Sequence, residues 1–96
     1  MPTATGSVPG PHSEHHTVLY ALSTCIWCRR TRQFLERQGV AFDYIYVDLL
    51  QGKEREDALA QVRRWNPSIS FPTLVADDSR CVVGAKLEEI KEVLEL

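Results

Sequence analysis

Thr17-Val18-Leu19-Tyr20-Ala21-Leu22-Ser23-Thr24-Cys25-Ile26-Trp27-Cys28 is the stretch that decides how this chain reads. Thr17 to Leu22 is a short apolar run of β-type residues and predicts a strand. Ser23 and Thr24 offer hydroxyls where a helix can begin. Trp27, Thr31, Phe34 and Leu35 then recur at the spacing of one helix face, and Gly39 closes that helix. The two cysteines therefore fall where a strand hands over to the opening turn of a helix. Such a helix end has N–H groups without partners and the positive pole of the helix dipole, so it favours a thiolate over a thiol. Two intervening residues put the second sulfur one turn away, within reach of the first. Arg29, Arg30 and Arg32 add positive charge on the same helix and are expected to lower the cysteine pKa further. Cys25, outside the first turn, is the expected nucleophile, and Cys28, a turn inside, the thiol that acts second.

Two other readings of the pair are weaker. Cysteines also serve as small buried hydrophobes, but a pair at this spacing on a helix start points to chemistry. A zinc site needs four ligands, and only Cys81 and the N-terminal histidines His12, His15 and His16 remain to supply them. No metal site is expected, and Cys81, inside a predicted strand, reads as a core thiol.

Working outward, Phe42 to Val47 is a second predicted strand. Gly52 to Asn66 carries Ala58, Leu59, Val62 and Trp65 at helical spacing until Pro67 stops it. Phe71 to Ala76 and Cys81 to Val83 are strands joined by the turn Asp77-Asp78-Ser79, a predicted antiparallel hairpin. Leu87, Ile90, Val93 and Leu94 line a last helix. The order β-α-β-α-β-β-α predicts an α/β domain with a four-stranded mixed sheet flanked by three helices, its first half a parallel βαβ unit. Pro72 cannot donate to a ladder, so it belongs at the start of its strand. A cis Phe71–Pro72 bond there would present the Phe71 backbone to an extended thiol substrate beside Cys25.

Composition narrows the function. Ninety-six residues, 44% hydrophobic and 25% charged, make one domain. A net charge of −2 gives no basic field for nucleic acid. No apolar run approaches the roughly 20 residues of a membrane span. The N-terminus lacks a secretory signal, and three cysteines do not suit a disulfide-stapled scaffold, so a reducing, cytoplasmic setting is expected. Residues 1–16 hold three of the five prolines, two of the five glycines and every histidine, and read as a disordered tail before a domain of residues 17–96. Of the two tryptophans, Trp65 reads as core and Trp27 as a surface that receives substrate proteins.

These residues together resemble the glutaredoxin family, within the thioredoxin fold. The resemblance runs from Thr17 onward. It rests on Thr24-Cys25-x-x-Cys28 followed by Arg32, Gly39-Val40-x-Phe42 leading to Val47-Asp48, Phe71-Pro72-Thr73, and Val83-Gly84 before Leu87-Glu88-Glu89-Ile90. It implies a thiol–disulfide oxidoreductase with Cys25 as nucleophile, Cys28 as resolving cysteine and Pro72 as a cis-proline. Thr24, Trp27, Phe71, Pro72, Gly84, Ala85 and Lys86 would line the thiol-substrate site. It further implies a monomer without bound cofactor, acting on disulfide-containing proteins. Its electrons would come from glutathione, another thiol such as coenzyme M, or a thioredoxin reductase. An alternative within the family is an iron–sulfur cluster held between two chains by the first cysteine and external thiols. The chain departs from the family at three places. Ile26-Trp27 replaces the usual Pro-Tyr, and Leu22 stands where many members have lysine. Val83-Gly84-Ala85-Lys86 replaces the Gly-Gly-x-Asp that grips the glutathione amino end. These departures leave thiol–disulfide exchange intact but count against a glutathione site.

Overall fold

The computed structural model describes residues 5–96. Its elements are β1 (Gly6–Val8), β2 (Thr17–Ala21), α1 (Ile26–Arg37), β3 (Phe42–Tyr46), a 3-10 turn at Val47–Leu49, α2 (Gly52–Trp65), β4 (Thr73–Ala76), β5 (Arg80–Val83) and α3 (Leu87–Val93). The sheet order is β1-β3-β2-β4-β5. β2 lies parallel to β3 and antiparallel to β4, and β4–β5 is the antiparallel hairpin. This is the thioredoxin-like arrangement, and the predicted elements of residues 17–96 all appear in the predicted order.

β2 is the central strand and every one of its residues is buried. Its side chains alternate between two cores because successive Cβ atoms point to opposite faces. Leu19 and Ala21 join Phe34 and Leu35 of α1 and Ile90 of α3. Val18 and Tyr20 join Ala58 and Val62 of α2 on the other face. The helix face of α1 is carried by Cys28, Thr31, Phe34 and Leu35. Trp27, expected on that face, is instead 55% exposed. Gly39, at φ 71°, ends α1 with Val40 N–H donating to Leu35 C=O and Gly39 N–H to Glu36 C=O, the pairing of a Schellman cap.

The sheet has five strands rather than four, because part of the segment read as a disordered tail pairs with β3. Gly6, Ser7 and Val8 face Tyr44, Asp43 and Phe42, and His12 bridges Val40. The physical reason is the exposed edge β3 would otherwise offer, whose N–H and C=O groups need partners. The glycines read as signs of flexibility allow close approach instead. A Cβ at Gly10 would run into the Gly39 carbonyl.

Candidate functional site

Strand register gathers the site at one end of the sheet. Tyr20 pairs with Thr73, and Thr73 with Val83. The segments that follow β2, precede β4 and follow β5 therefore emerge together: Leu22 to Cys25, Phe71-Pro72, and Gly84 to Lys86. Ala21 pairs with Tyr46, which brings the turn after β3 to the same end. Two ties hold this end. Asp48 receives the Ser23 N–H at 2.9 Å and the Ser23 hydroxyl. Gly84 N–H donates to Pro72 C=O at 2.8 Å. The Phe71–Pro72 bond is cis, as expected.

Cys25 is itself the N-cap of α1, a place the Ser23 and Thr24 hydroxyls were expected to fill. Its Sγ accepts the Cys28 N–H at 3.3 Å. Burial pushes the Cys25 thiol up, but hydrogen bonds from the Cys28 thiol and from the Cys28 and Trp27 amides outweigh it and lower the pKa. Cys28 is 2% exposed. Burial is the main reason its thiol is pushed up to about 12, and Cys25 and Asp48 add to the rise. The two sulfurs thus differ in the way a nucleophile and a reserve thiol should. The arginines are not the cause of this difference, contrary to the expectation from sequence. Arg32 Nε bonds Glu36 at 3.0 Å and its Nη1 the Tyr46 hydroxyl at 2.8 Å. The Arg30 guanidinium lies 5.0 Å from the Trp27 ring centre.

Thr24 and Lys86 are exposed, Phe71, Gly84 and Ala85 are half-buried, and Pro72 is buried. Phe71 and Cys25 pack against the same core cluster. Cys81 is half-buried against the α2-side core, its Sγ 3.6 Å from Trp65 C=O, in keeping with a core thiol. Asn66 went unnoticed in the sequence. It is buried, and its Nδ2 donates to Ser70 C=O, Ser70 Oγ and Thr73 Oγ1, which shapes the loop into Phe71-Pro72. An asparagine between a helix and Pro67 was the available signal. A concavity of about 620 Å³ lies at the opposite end of the sheet, between residues such as Val8, His15, Asp43 and Asp77. It has no part in the dithiol chemistry.

The glutaredoxin family model matches residues 17–81, which includes both cysteines and Pro72. The chain belongs to the glutaredoxin family. Solved glutaredoxin-like structures agree over nearly the whole length. Methanoredoxin of Methanosarcina acetivorans is 42% identical, with 98% of this chain and 99% of that one covered at a TM-score of 0.92. The glutaredoxin of Methanosarcina mazei Go1 is 46% identical, with 98% and 90% covered at a TM-score of 0.91. That of Archaeoglobus fulgidus is 37% identical, with 86% and 89% covered at a TM-score of 0.79. No curated protein sequence matches the chain. As in its family of thiol–disulfide oxidoreductases, this glutaredoxin carries the Cys-x-x-Cys pair at the head of the first helix of the βαβ unit.

Proposed function

We propose that this glutaredoxin reduces disulfides of proteins or small molecules by a two-cysteine mechanism, with Cys25 attacking and Cys28 resolving. The observation that carries the reading is the contrast between the two sulfurs. Cys25 caps the helix with its pKa lowered, and Cys28 is buried one turn behind with its pKa pushed up to about 12. The Cys25 thiolate attacks one sulfur of a substrate disulfide. A Cys25–substrate disulfide forms, and the other substrate sulfur leaves as a thiolate that takes up a proton. Once Cys25 is in that bond its negative charge is gone, and with it one of the influences that holds the Cys28 proton. Cys28 gives up its proton and attacks the Cys25 sulfur. The second substrate sulfur leaves and is protonated. The substrate has gained two electrons and two protons, and the protein keeps a Cys25–Cys28 disulfide.

Re-reduction takes two electrons from glutathione, another thiol such as coenzyme M, or a thioredoxin reductase. Phe71, Pro72, Thr24, Trp27 and Gly84 to Lys86 form the surface against which such a thiol is held. No helix among the described residues is long and apolar enough to cross a membrane, and a monomer in a reducing cytoplasm suits a pair of free thiols. A cluster-binding role fits less well. Cluster-holding members of the family mostly lack the second cysteine, which Cys28 supplies here.

The decisive experiment compares two variants. Cys25→Ser is expected to lose disulfide reduction entirely. Cys28→Ser is expected to stop at a stable mixed disulfide with protein substrates, visible by mass spectrometry. Loss of all reaction with an alkylating agent in Cys28→Ser, but not in Cys25→Ser, would reverse the roles. The oxidised protein offered glutathione, coenzyme M, or NADPH with thioredoxin reductase in turn identifies the electron source. A brown colour on anaerobic purification would speak for the cluster-binding role instead.

A further inference from the structure

The large hydrophobic side chains exposed among the described residues are Ile26 at 55%, Trp27 at 55% and Leu49 at 59%. All of them sit at the Cys25 end. Ile26 and Trp27 follow the nucleophile directly. Leu49 follows Asp48, whose carboxylate holds Ser23 two residues before Cys25. Apolar surface gathered at one place on a small domain marks a contact site more than apolar residues scattered singly do.

Its α1 part is basic. α1 has no acid in its first turn, and Arg29 and Arg30 are exposed there. Among the described residues neither has a carboxylate within ion-pair distance; the arginine of α1 that does is Arg32, paired with Glu36. Asp48, the acid nearest Ser23, has both oxygens committed to it. Glu54 opens α2, and Glu88 and Glu89 open α3, at this same end beside the cations Lys53, Arg55 and Lys86. Arg30 lies over the Trp27 ring, so cation and apolar platform form one surface.

We propose that this face docks a partner protein's disulfide carried on a segment with acidic and apolar flanking residues. Ile26, Trp27 and Leu49 take the apolar side chains, and Arg29 and Arg30 take the carboxylates. The inference rests on the dithiol function proposed above and names the substrate class of that site.

The test uses the full chain and three oxidised substrates: a small neutral disulfide, bis(2-hydroxyethyl) disulfide, and two disulfide peptides alike except for acidic or basic flanks. Wild type is expected to prefer the acidic peptide by about tenfold in kcat/KM, the size two exposed charge pairs give together. The preference should shrink as salt is added. Arg29→Glu with Arg30→Glu should invert it. Leu49→Ser should lower kcat/KM for both peptides about fivefold through KM and leave the small disulfide unchanged. Equal turnover of the two peptides by wild type, or a preference that survives the charge reversal, would overturn the docking inference while the dithiol function stands. Failure of wild type to reduce any of the three would sink the dithiol function itself. Concentration-dependent self-association abolished by Leu49→Ser would give the face to a second copy and also overturn the inference.

Discussion

At the scale of single residues, the Cys25 sulfur is made acidic by what points at it. Burial alone would raise its pKa, and the bonds from the Cys28 thiol and the Cys28 and Trp27 amides reverse that. Alkylation of Cys25 should therefore reach its plateau at a pH below that of a free thiol, about 8.5. Replacing Arg29 or Arg30 by Gln should leave that profile nearly in place, whereas Cys28→Ala, which removes a donor, should move it upward. Thiolate absorbance against pH checks both. Lys86 allows a second measurement. It is the exposed N-cap of α3, at the position where the family resemblance puts an acid for the glutathione amino group. Lys86→Asp should improve kcat/KM for glutathione about tenfold, the worth of one charge-assisted contact of roughly 1.5–3 kcal/mol with part of it screened. Lys86→Asn, which caps the helix without charge, should not. Equal gains from both would trace the effect to the cap. The reactive pair was legible because a fixed spacing at a strand–helix junction constrains where two sulfurs go. The source of the acidity was not, since charge on a helix says nothing about where its long side chains turn. Arg32 turns to Tyr46 and Glu36, and the tie between Asp48 and Ser23 spans 25 residues of sequence.

At the scale of elements, periodicity carried the helices and strands of residues 17–96, and punctuation at Gly39, Pro67 and Gly84 carried their ends. β1 was illegible for a physical reason. Three residues with one valine show no alternation, and their pairing is decided by an open edge of β3, far away in sequence. β1 adds the Thr5 hydroxyl as acceptor for the Tyr46 N–H at 2.8 Å and sets the Thr5 N–H on Tyr44 C=O. Removing residues 1–10 should free these groups, each net contact being worth roughly 0.5–1.5 kcal/mol. The expected result is a lower thermal midpoint and faster amide exchange at Tyr46. Turnover of a small disulfide should persist, because Cys25 and Cys28 are positioned by β2 and α1. Unchanged exchange at Tyr46 in the truncated chain would mean that the β1 pairing does not protect this edge.

At the scale of the whole molecule, one imidazole joins three distant parts of the chain. His15 Nδ1 lies 2.6 Å from Asp77 Oδ2, on the β4–β5 turn, and its Nε2 3.0 Å from Glu95 Oε1, near the C-terminus. Asp77 also accepts the His16 N–H, and its own N–H donates to His16 C=O. Both ring nitrogens can donate only when the ring is protonated. The bond to Asp77 is the main reason the His15 pKa is raised above 6.5; burial opposes it and Glu95 adds to it. The bond from His15 is likewise the main reason the Asp77 pKa is lowered below 3.8. A raised histidine stabilises the fold fully below 6.5 and loses that contribution as pH rises through its folded pKa. A depressed aspartate contributes above 3.8 and loses it as pH falls through its folded pKa. The clasp is therefore strongest between these limits. The thermal midpoint of wild type should fall relative to that of His15→Gln as pH is raised from about 5 to about 8. His12 and His16, facing Glu14 and Asp43 at 4.0 and 3.8 Å, are common to both proteins and cancel in the comparison. The clasp lies at the end of the sheet away from Cys25, where β2 begins and β4 ends. The pH profile of small-disulfide reduction should therefore be the same in wild type and variant. Parallel midpoint curves for the two proteins would show that the clasp does not hold the termini.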